Sequence, residues 1–265
     1  MVVLKNITKT FHKGTPDEII ALKNINLSIK EGDFISIIGS NGAGKTTLFN
    51  IISGSLFPDS GEIYINEKNV TNVAEYKRAL YIGRIFQNPL LGTASNMTIE
   101  ENLTLAYKKG PRGLKKSINS SLRNEFREKL KLLNLGLEDR MKDLVALLSG
   151  GQRQALSLLM CVLSKPRLLL LDEHTAALDP KNASIVLSLT DRFVNEYRLT
   201  TLMISHNMSQ AINYGNRLIM MDRGEIIFDI SGEDKKKLTV EKLVEKFHQL
   251  RHGELDTDRI LLSEE

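Results

Sequence analysis

Cysteine is almost absent from this sequence: Cys161 is the only one among 265 residues. An intramolecular disulfide is therefore impossible, a multi-cysteine zinc site is excluded, and a reducing compartment fits. Long apolar runs are missing too. The run ALSLLMCVLS, ending at Ser164, is closed by Lys165 and Pro166, well short of the ~18 residues that a membrane-crossing helix needs. The opening residues, MVVLKNITKTF, carry Lys5 and Lys9 among their apolar side chains, which is not the pattern of a secretory signal. Nor is there much excess of one charge. Lys and Arg number 36 against 32 Asp and Glu, leaving +4, a balance that does not call for nucleic acid as a partner. If the protein works at a membrane, it docks on something else that spans it.

What is present is a globular composition, 42% hydrophobic and 26% charged, in a chain long enough to bury roughly three quarters of its unfolded surface. At about 150 residues per domain it forms one large domain or two closely packed lobes. The first third reads as strands with turn punctuation: VVLKNITKTF from Val2, ALKNINLSI from Ala21, FISIIG from Phe34, and EIYIN from Glu62 behind the turn Pro58-Asp59-Ser60-Gly61. From about Met97 the period turns helical, opening on Thr98 and Glu101 at capping-box spacing, and a helical lobe is expected over about 90–165.

RLLLLD from Arg167 and TTLMIS from Thr200 are short, apolar and followed by polar residues, as parallel strands buried on both faces are. Pro180 to Tyr197 has helical spacing, completing a strand, helix, strand unit. RLIMMDRGEIIFDI from Arg217 reads as a hairpin turning at Asp222-Arg223-Gly224. LTVEKLVEKFHQL from Leu238 places Leu243, Val244, Phe247 and Leu250 on one helical face, and the last residues read as a loose tail. Between Asn102 and Asn124 there is no acidic residue, while Lys108, Lys109, Arg112, Lys115, Lys116 and Arg123 are all cationic. Such a run is a solvated loop of the helical lobe, or a surface that meets anionic lipid headgroups or an acidic partner.

Three clusters carry chemistry. Gly39-Ser40-Asn41-Gly42-Ala43-Gly44-Lys45-Thr46 follows the strand FISII and precedes the helical pattern TLFNIISG, the context that a phosphate-binding loop requires. Glycines let successive N–H groups aim at one phosphate, and the helix N-terminus adds partial positive charge. Lys45 is expected to reach the β- and γ-phosphates and the Thr46 hydroxyl to ligate Mg²⁺. Asp172 and Glu173 close the strand LLLL, so their carboxylates emerge at the sheet edge that carries the phosphate loop. Asp172 there suits Mg²⁺ held through its water shell, and Glu173 suits a general base that polarises the attacking water. Leu148-Ser149-Gly150-Gly151-Gln152, ahead of a helical RQALSLLM, places Ser149 as an N-cap with two glycines exposing first-turn N–H groups. It is a second anion site, and one nucleotide need not touch both sites of the same molecule.

LSGGQRQ resembles the signature of ATP-binding cassette (ABC) ATPases, and the other motifs of that family occur in its order across nearly the whole chain. Gln87 in IFQNP matches the Q-loop glutamine, Ala177-Leu178-Asp179 the D-loop, and His206 the switch histidine, while Phe11 falls where the family stacks an aromatic on adenine. The resemblance implies an α/β fold: a P-loop NTPase (RecA-like) core with an antiparallel β subdomain and an ABC α-helical subdomain. The core is expected at about 1–90 and 166–235, the helical signature subdomain at about 90–165, and a C-terminal helix and tail at about 236–265.

It also implies the cofactors ATP and Mg²⁺ and a head-to-tail pair of identical chains. Ser149, Gly151 and Gln152 of one chain would complete the γ-phosphate site built by Lys45, Glu173 and His206 of the other, and Thr46, Thr47, Gly150 and Asp179 are implied as further nucleotide-binding residues. Gln87 would link Mg²⁺ to transmembrane permease subunits, and His206 would contact the γ-phosphate. A single cassette of this length resembles the separate ATPase subunit of a bacterial importer, bound to the cytoplasmic face of the cell membrane through its permease and served indirectly by a substrate-binding protein. NPLLGTASNMTIEENL, DEHTAALDP and YGNRLIMM are similar to ATPases of the tryptophan/tyrosine uptake group.

The rival class is a soluble ABC ATPase of translation or DNA repair. Translation-type members carry two cassettes, and repair-type members insert a coiled coil for which there is no room between Gln87 and Ser149. Two departures from the family pattern are visible. His174 stands where proline usual to the family follows the glutamate, and is read as filling a turn rather than touching the phosphate loop. Lys45-Thr46-Thr47 replaces the commoner Lys-Ser-Thr and keeps the Mg²⁺ hydroxyl.

Overall fold

The computed structural model describes residues 1–107 and 118–250. Of the basic stretch only Arg123 falls within them, where it pairs with Glu100 at 2.6 Å; Lys108 to Lys116 and the terminal tail lie outside the described residues. In chain order the strands are β1 (Val2–Phe11), β2 (Ile19–Ile29), β3 (Phe34–Gly39), β4 (Ser60–Ile65), β5 (Lys68–Asn69), β6 (Ile82–Ile85), β7 (Leu168–Asp172), β8 (Thr201–Ile204), β9 (Arg217–Asp222) and β10 (Glu225–Ser231). The helices are α1 (Lys45–Ser53), α2 (Glu75–Arg78), α3 (Ile99–Tyr107), α4 (Ser120–Lys131), α5 (Gly150–Leu163), α6 (Pro180–Tyr197), α7 (Met208–Asn213) and α8 (Gly232–Lys236). A further helix, α9, covers 240–250 among the described residues.

The strands form two sheets. An antiparallel one runs β2-β1-β4-β5, and a second runs β10-β9-β3-β8-β7-β6. In the second, β9, β3, β8, β7 and β6 are parallel, and only β10 is antiparallel, as the hairpin partner of β9. The parallel strands need crossovers, and these supply the helices. Pairing of Gly39 with Met221 and of Asp172 with Ile204 brings the carboxyl ends of β3, β9, β7 and β8 to one edge.

Strand periodicity divides the core. Leu168 and Leu170 of β7 face α1 and the antiparallel sheet, whereas Leu169 and Leu171 face α5 and α6, as alternation across a pleat requires. All four are fully buried, which is why RLLLLD shows no alternation in its residue types. Helix α1 is enclosed between the sheets, with Leu48, Phe49, Ile51 and Ile52 at 0% exposure; truncating Phe49 to alanine costs about 3–5 kcal/mol at such a site. Its C-terminal end is held by Arg78, a fully buried cation that donates to the carbonyls of Ile51 and Ile52 at 2.7 and 2.9 Å. The opposite face of the parallel sheet, at Ile38, Leu218 and Met220, is covered by Ala211 of α7 and by Leu243 and Phe247 of α9.

The strands expected in the first third all form, and α6 has the bounds its spacing indicated. Thr98 and Glu101 make the reciprocal bonds of a capping box at the start of α3, at 2.8 and 3.3 Å.

Candidate functional site

The phosphate loop connects β3 to α1, and its glycines are required by space as well as by conformation. Gly44, the residue before α1, has φ +94°, and a Cβ there would lie 2.3 Å from the Ala21 carbonyl oxygen. At Gly39 the corresponding atom would lie 2.1 Å from the Met221 carbonyl oxygen. The loop is thus folded against the backbone of β2 and β9, and Ser40 Oγ donates to Asp222 Oδ1 at 2.6 Å to fix it on the second side. Lys45 is buried, and its ammonium donates to the carbonyls of Gly39 and Ser40, both at 2.9 Å. Burial holds its pKa below the ordinary lysine range, while the nearby Glu173 and Asp172 pull it back up.

A cavity of about 340 Å³ opens over this loop. Asn41, Gly42, Ala43, Gly44, Lys45, Thr46 and Thr47 form its floor, Phe11, Ile19 and Ala21 one wall, and Glu173 and His206 the other. Phe11 pairs with Ile19 across the β1–β2 ladder, giving an apolar rim suited to a planar base.

Asp172 ends β7 and Glu173 follows it with φ +48°, a left-handed conformation that a glutamate holds only when its surroundings impose it. The Glu173 carboxylate contacts His206 Nε2. His206 comes from the loop after β8, where Asn207 caps α7 through Gln210 N at 3.0 Å, and its ring is half-exposed. A second cavity, of about 330 Å³, shares Glu173 and His206 with the first, so the pair lines both cavities. Asp172 is buried, with Oδ2 accepting from Arg84 at 2.9 Å.

His174 neither touches the phosphate loop nor merely fills a turn. Its backbone turns there, but the ring is buried, with Nε2 3.0 Å from Thr190 Oγ1 of α6, and burial lowers its pKa to about 4.

The remaining sequence-derived residues are held elsewhere. Ser149 caps α5 in a complete capping box: Gln152 N donates to Ser149 Oγ at 3.3 Å and Ser149 N to Gln152 Oε1 at 3.1 Å. Gly151 abuts α6, where an added Cβ would meet Asn182 at 2.7 Å. Asp179 caps α6 through Asn182 N at 3.1 Å, and that bond holds its carboxyl below the usual range. None of Ser149, Gly150, Gly151, Gln152, Asp179 or Gln87 lines the cavity over Lys45. Gln87 is exposed at the end of the segment after β6. Sequence reasoning passed over Arg84, Asn50 and Gln154, which tie the edge of the sheet together; an arginine inside IGRIFQ was the available signal.

A strand-to-helix phosphate loop, an acidic edge with a histidine against it, and a separate capped glycine pair define a nucleotide-binding ATPase cassette. The family model described as ABC transporter matches residues 22–176. The tyrosine transport ATP-binding protein of Clostridioides difficile is 47% identical over 250 residues, covering 93% of this chain and 98% of that protein. The spermidine/putrescine import ATP-binding protein PotA of Fusobacterium nucleatum is 36% identical over 222 residues, covering 84% of this chain and 55% of that protein. Among solved structures, a dimeric ATP-binding cassette in a post-hydrolysis state, bound to ADP and Pi, superposes with a TM-score of 0.72 at 32% identity, covering 87% of this chain and 98% of that one. The chain belongs to the ABC transporter family, as an ATP-hydrolysing transporter subunit with the α/β fold of P-loop cassettes. Among the described residues no helix is long and apolar enough to cross a membrane.

Proposed function

We propose that this chain is the ATPase of an importer for aromatic amino acids such as tyrosine and tryptophan, working as a head-to-tail pair on the cytoplasmic face of its permease. The observation that carries the ATPase chemistry is the Glu173–His206 contact on the wall of the Lys45 cavity. Substrate class is supported by the name of the Clostridioides difficile relative and not by any side chain of the site, because selection belongs to the permease and its binding protein. The core is assigned to about 1–90 and 166–235, the signature lobe to about 90–165 and the C-terminal segment to about 236–265.

The loop N–H groups and Lys45 bind the phosphates, and Phe11 faces the base. His206 orients Glu173, whose carboxylate takes a proton from water as the water oxygen bonds to the γ-phosphorus. The β–γ bridging bond breaks, and ADP leaves with its electron pair.

Thr46, Gln87 and Asp172 offer a hydroxyl, an amide and a carboxylate oxygen. Such hard donors fit Mg²⁺, and too few protein ligands for a cage fits an ion held mainly by water and phosphate. When bound, it would neutralise charge on the transferring phosphoryl group. Ser149, Gly150, Gly151 and Gln152 of the second chain present the N-terminus of α5 to the same γ-phosphate, which accounts for their separation from Lys45 within one chain.

Glu173→Gln tests this reading. The variant is expected to bind ATP, to lose hydrolysis by about 10²- to 10⁴-fold, and to run as a dimer with ATP in size-exclusion chromatography. An active, monomeric variant contradicts the assignment.

A further inference from the structure

Glu173 lies between two residues that are tied to one short segment, strand β6 and the residue that follows it. On one side, Asp172 Oδ2 accepts from Arg84 Nη2 at 2.9 Å. The guanidinium also donates to Asn50 Oδ1 of α1 at 2.8 Å and lies 4.9 Å from the centre of the Phe86 ring. On the other side, the His174 carbonyl accepts from Gln154 Nε2 at 2.7 Å, and the same amide nitrogen donates to the Phe86 carbonyl at 3.1 Å. Arg84 and Phe86 belong to the segment that leads into Gln87. Two bridges therefore run from this segment to the residues immediately before and after Glu173.

These bridges are not explained as packing alone. Gln154 is fully buried, and its Oε1 has no hydrogen-bond partner among the described residues; Arg84 Nε is buried in the same condition. Apolar side chains of similar shape would avoid both desolvation penalties. What the polar groups provide is direction: each fixes a specific atom of the turn that holds Glu173 in its left-handed conformation, which persists only when the surroundings over-determine it. Neither residue lines the Lys45 cavity.

We propose that Arg84 and Gln154 are positioning residues that clamp the Glu173 turn to the segment leading into Gln87, each through its own hydrogen-bonded bridge. The proposal rests on Glu173 being the general base. It assigns the two residues to the geometry of hydrolysis and not to nucleotide affinity.

The test compares the full chain with Arg84→Met, Arg84→Lys, Gln154→Leu and Glu173→Gln for binding of a fluorescent ATP analogue, steady-state hydrolysis and dimer content with ATP. In Arg84→Met and Gln154→Leu, kcat is expected to fall about 10- to 100-fold. Nucleotide affinity and KM are expected to stay within about threefold. The ATP-bound dimer should accumulate as it does in Glu173→Gln, a result that general loosening of the fold would not produce. Arg84→Lys should recover part of the rate.

Folded variants that hydrolyse at the wild-type rate overturn the clamp, and so does a parallel loss of affinity and kcat without dimers. If Arg84→Met does not fold, Gln154→Leu and Arg84→Lys decide by the same criteria. Wild-type hydrolysis by Glu173→Gln would instead overturn the general base itself, whatever the clamp variants do.

Discussion

At the scale of single residues, His174 is the side chain whose environment departs furthest from what its position suggested. It sits one residue after the proposed base, yet its ring is buried against Thr190, and its pKa falls to about 4 from the ordinary 6.5 because burial penalises the imidazolium. The folded protein therefore holds this histidine neutral where the unfolded chain would protonate it. Between those values the unfolded state binds more protons, so stability is fully present above pH 6.5 and is lost as pH falls towards about 4. From pH 7.5 to pH 5 this one group is expected to remove about 2 kcal/mol. Urea unfolding of the wild type and of His174→Gln at both pH values measures it. The variant should show a shallower loss by that amount, and equal losses would place the acid sensitivity elsewhere.

At the scale of elements, the loop before α1 depends on two backbone approaches. Gly44→Ala forces a Cβ to 2.3 Å from the Ala21 carbonyl at a φ of +94°, so β2 must move away from the loop that it supports. The expected result is destabilisation of more than about 1 kcal/mol together with loss of ATP binding, read by urea unfolding and by nucleotide titration; wild-type values for both would contradict the packing described. Such elements were legible in the sequence because their signals are local. Glycines fix the loop, Ser149 stands ahead of two glycines as the cap of α5, and Pro180 opens the helical spacing of α6. The bridges were not legible for the complementary reason. Arg84 and Asp172 lie 88 positions apart, as Gln154 and Phe86 lie 68 apart, and nothing in IGRIFQ or RQALS names a partner. Strand β6 was missed likewise, since four residues carrying a charged side chain in their middle lack the alternation that marks a strand. The ring of His174 was misjudged because a histidine in a turn carries no mark of which way its side chain points.

At the scale of the whole molecule, the chain has two helix ends suited to anions, and they do not meet. The N-terminus of α1 opens into the Lys45 cavity, while that of α5, capped by Ser149, does not line it. A phosphate held by both therefore requires a second copy, and the dimeric cassette bound to ADP and Pi that this fold superposes on has that stoichiometry. In the pair proposed above, the γ-phosphate would join two surfaces and hydrolysis would remove the joint, so that closure and opening would follow the nucleotide. Pairing by mass action also makes activity a function of protein concentration. The most direct measurement is the specific ATPase rate of the isolated wild-type chain across a wide dilution series, followed in parallel by dimer content. The rate per chain should rise with concentration and level off where dimers saturate. A constant rate per chain, with monomers alone at every concentration, would contradict the account.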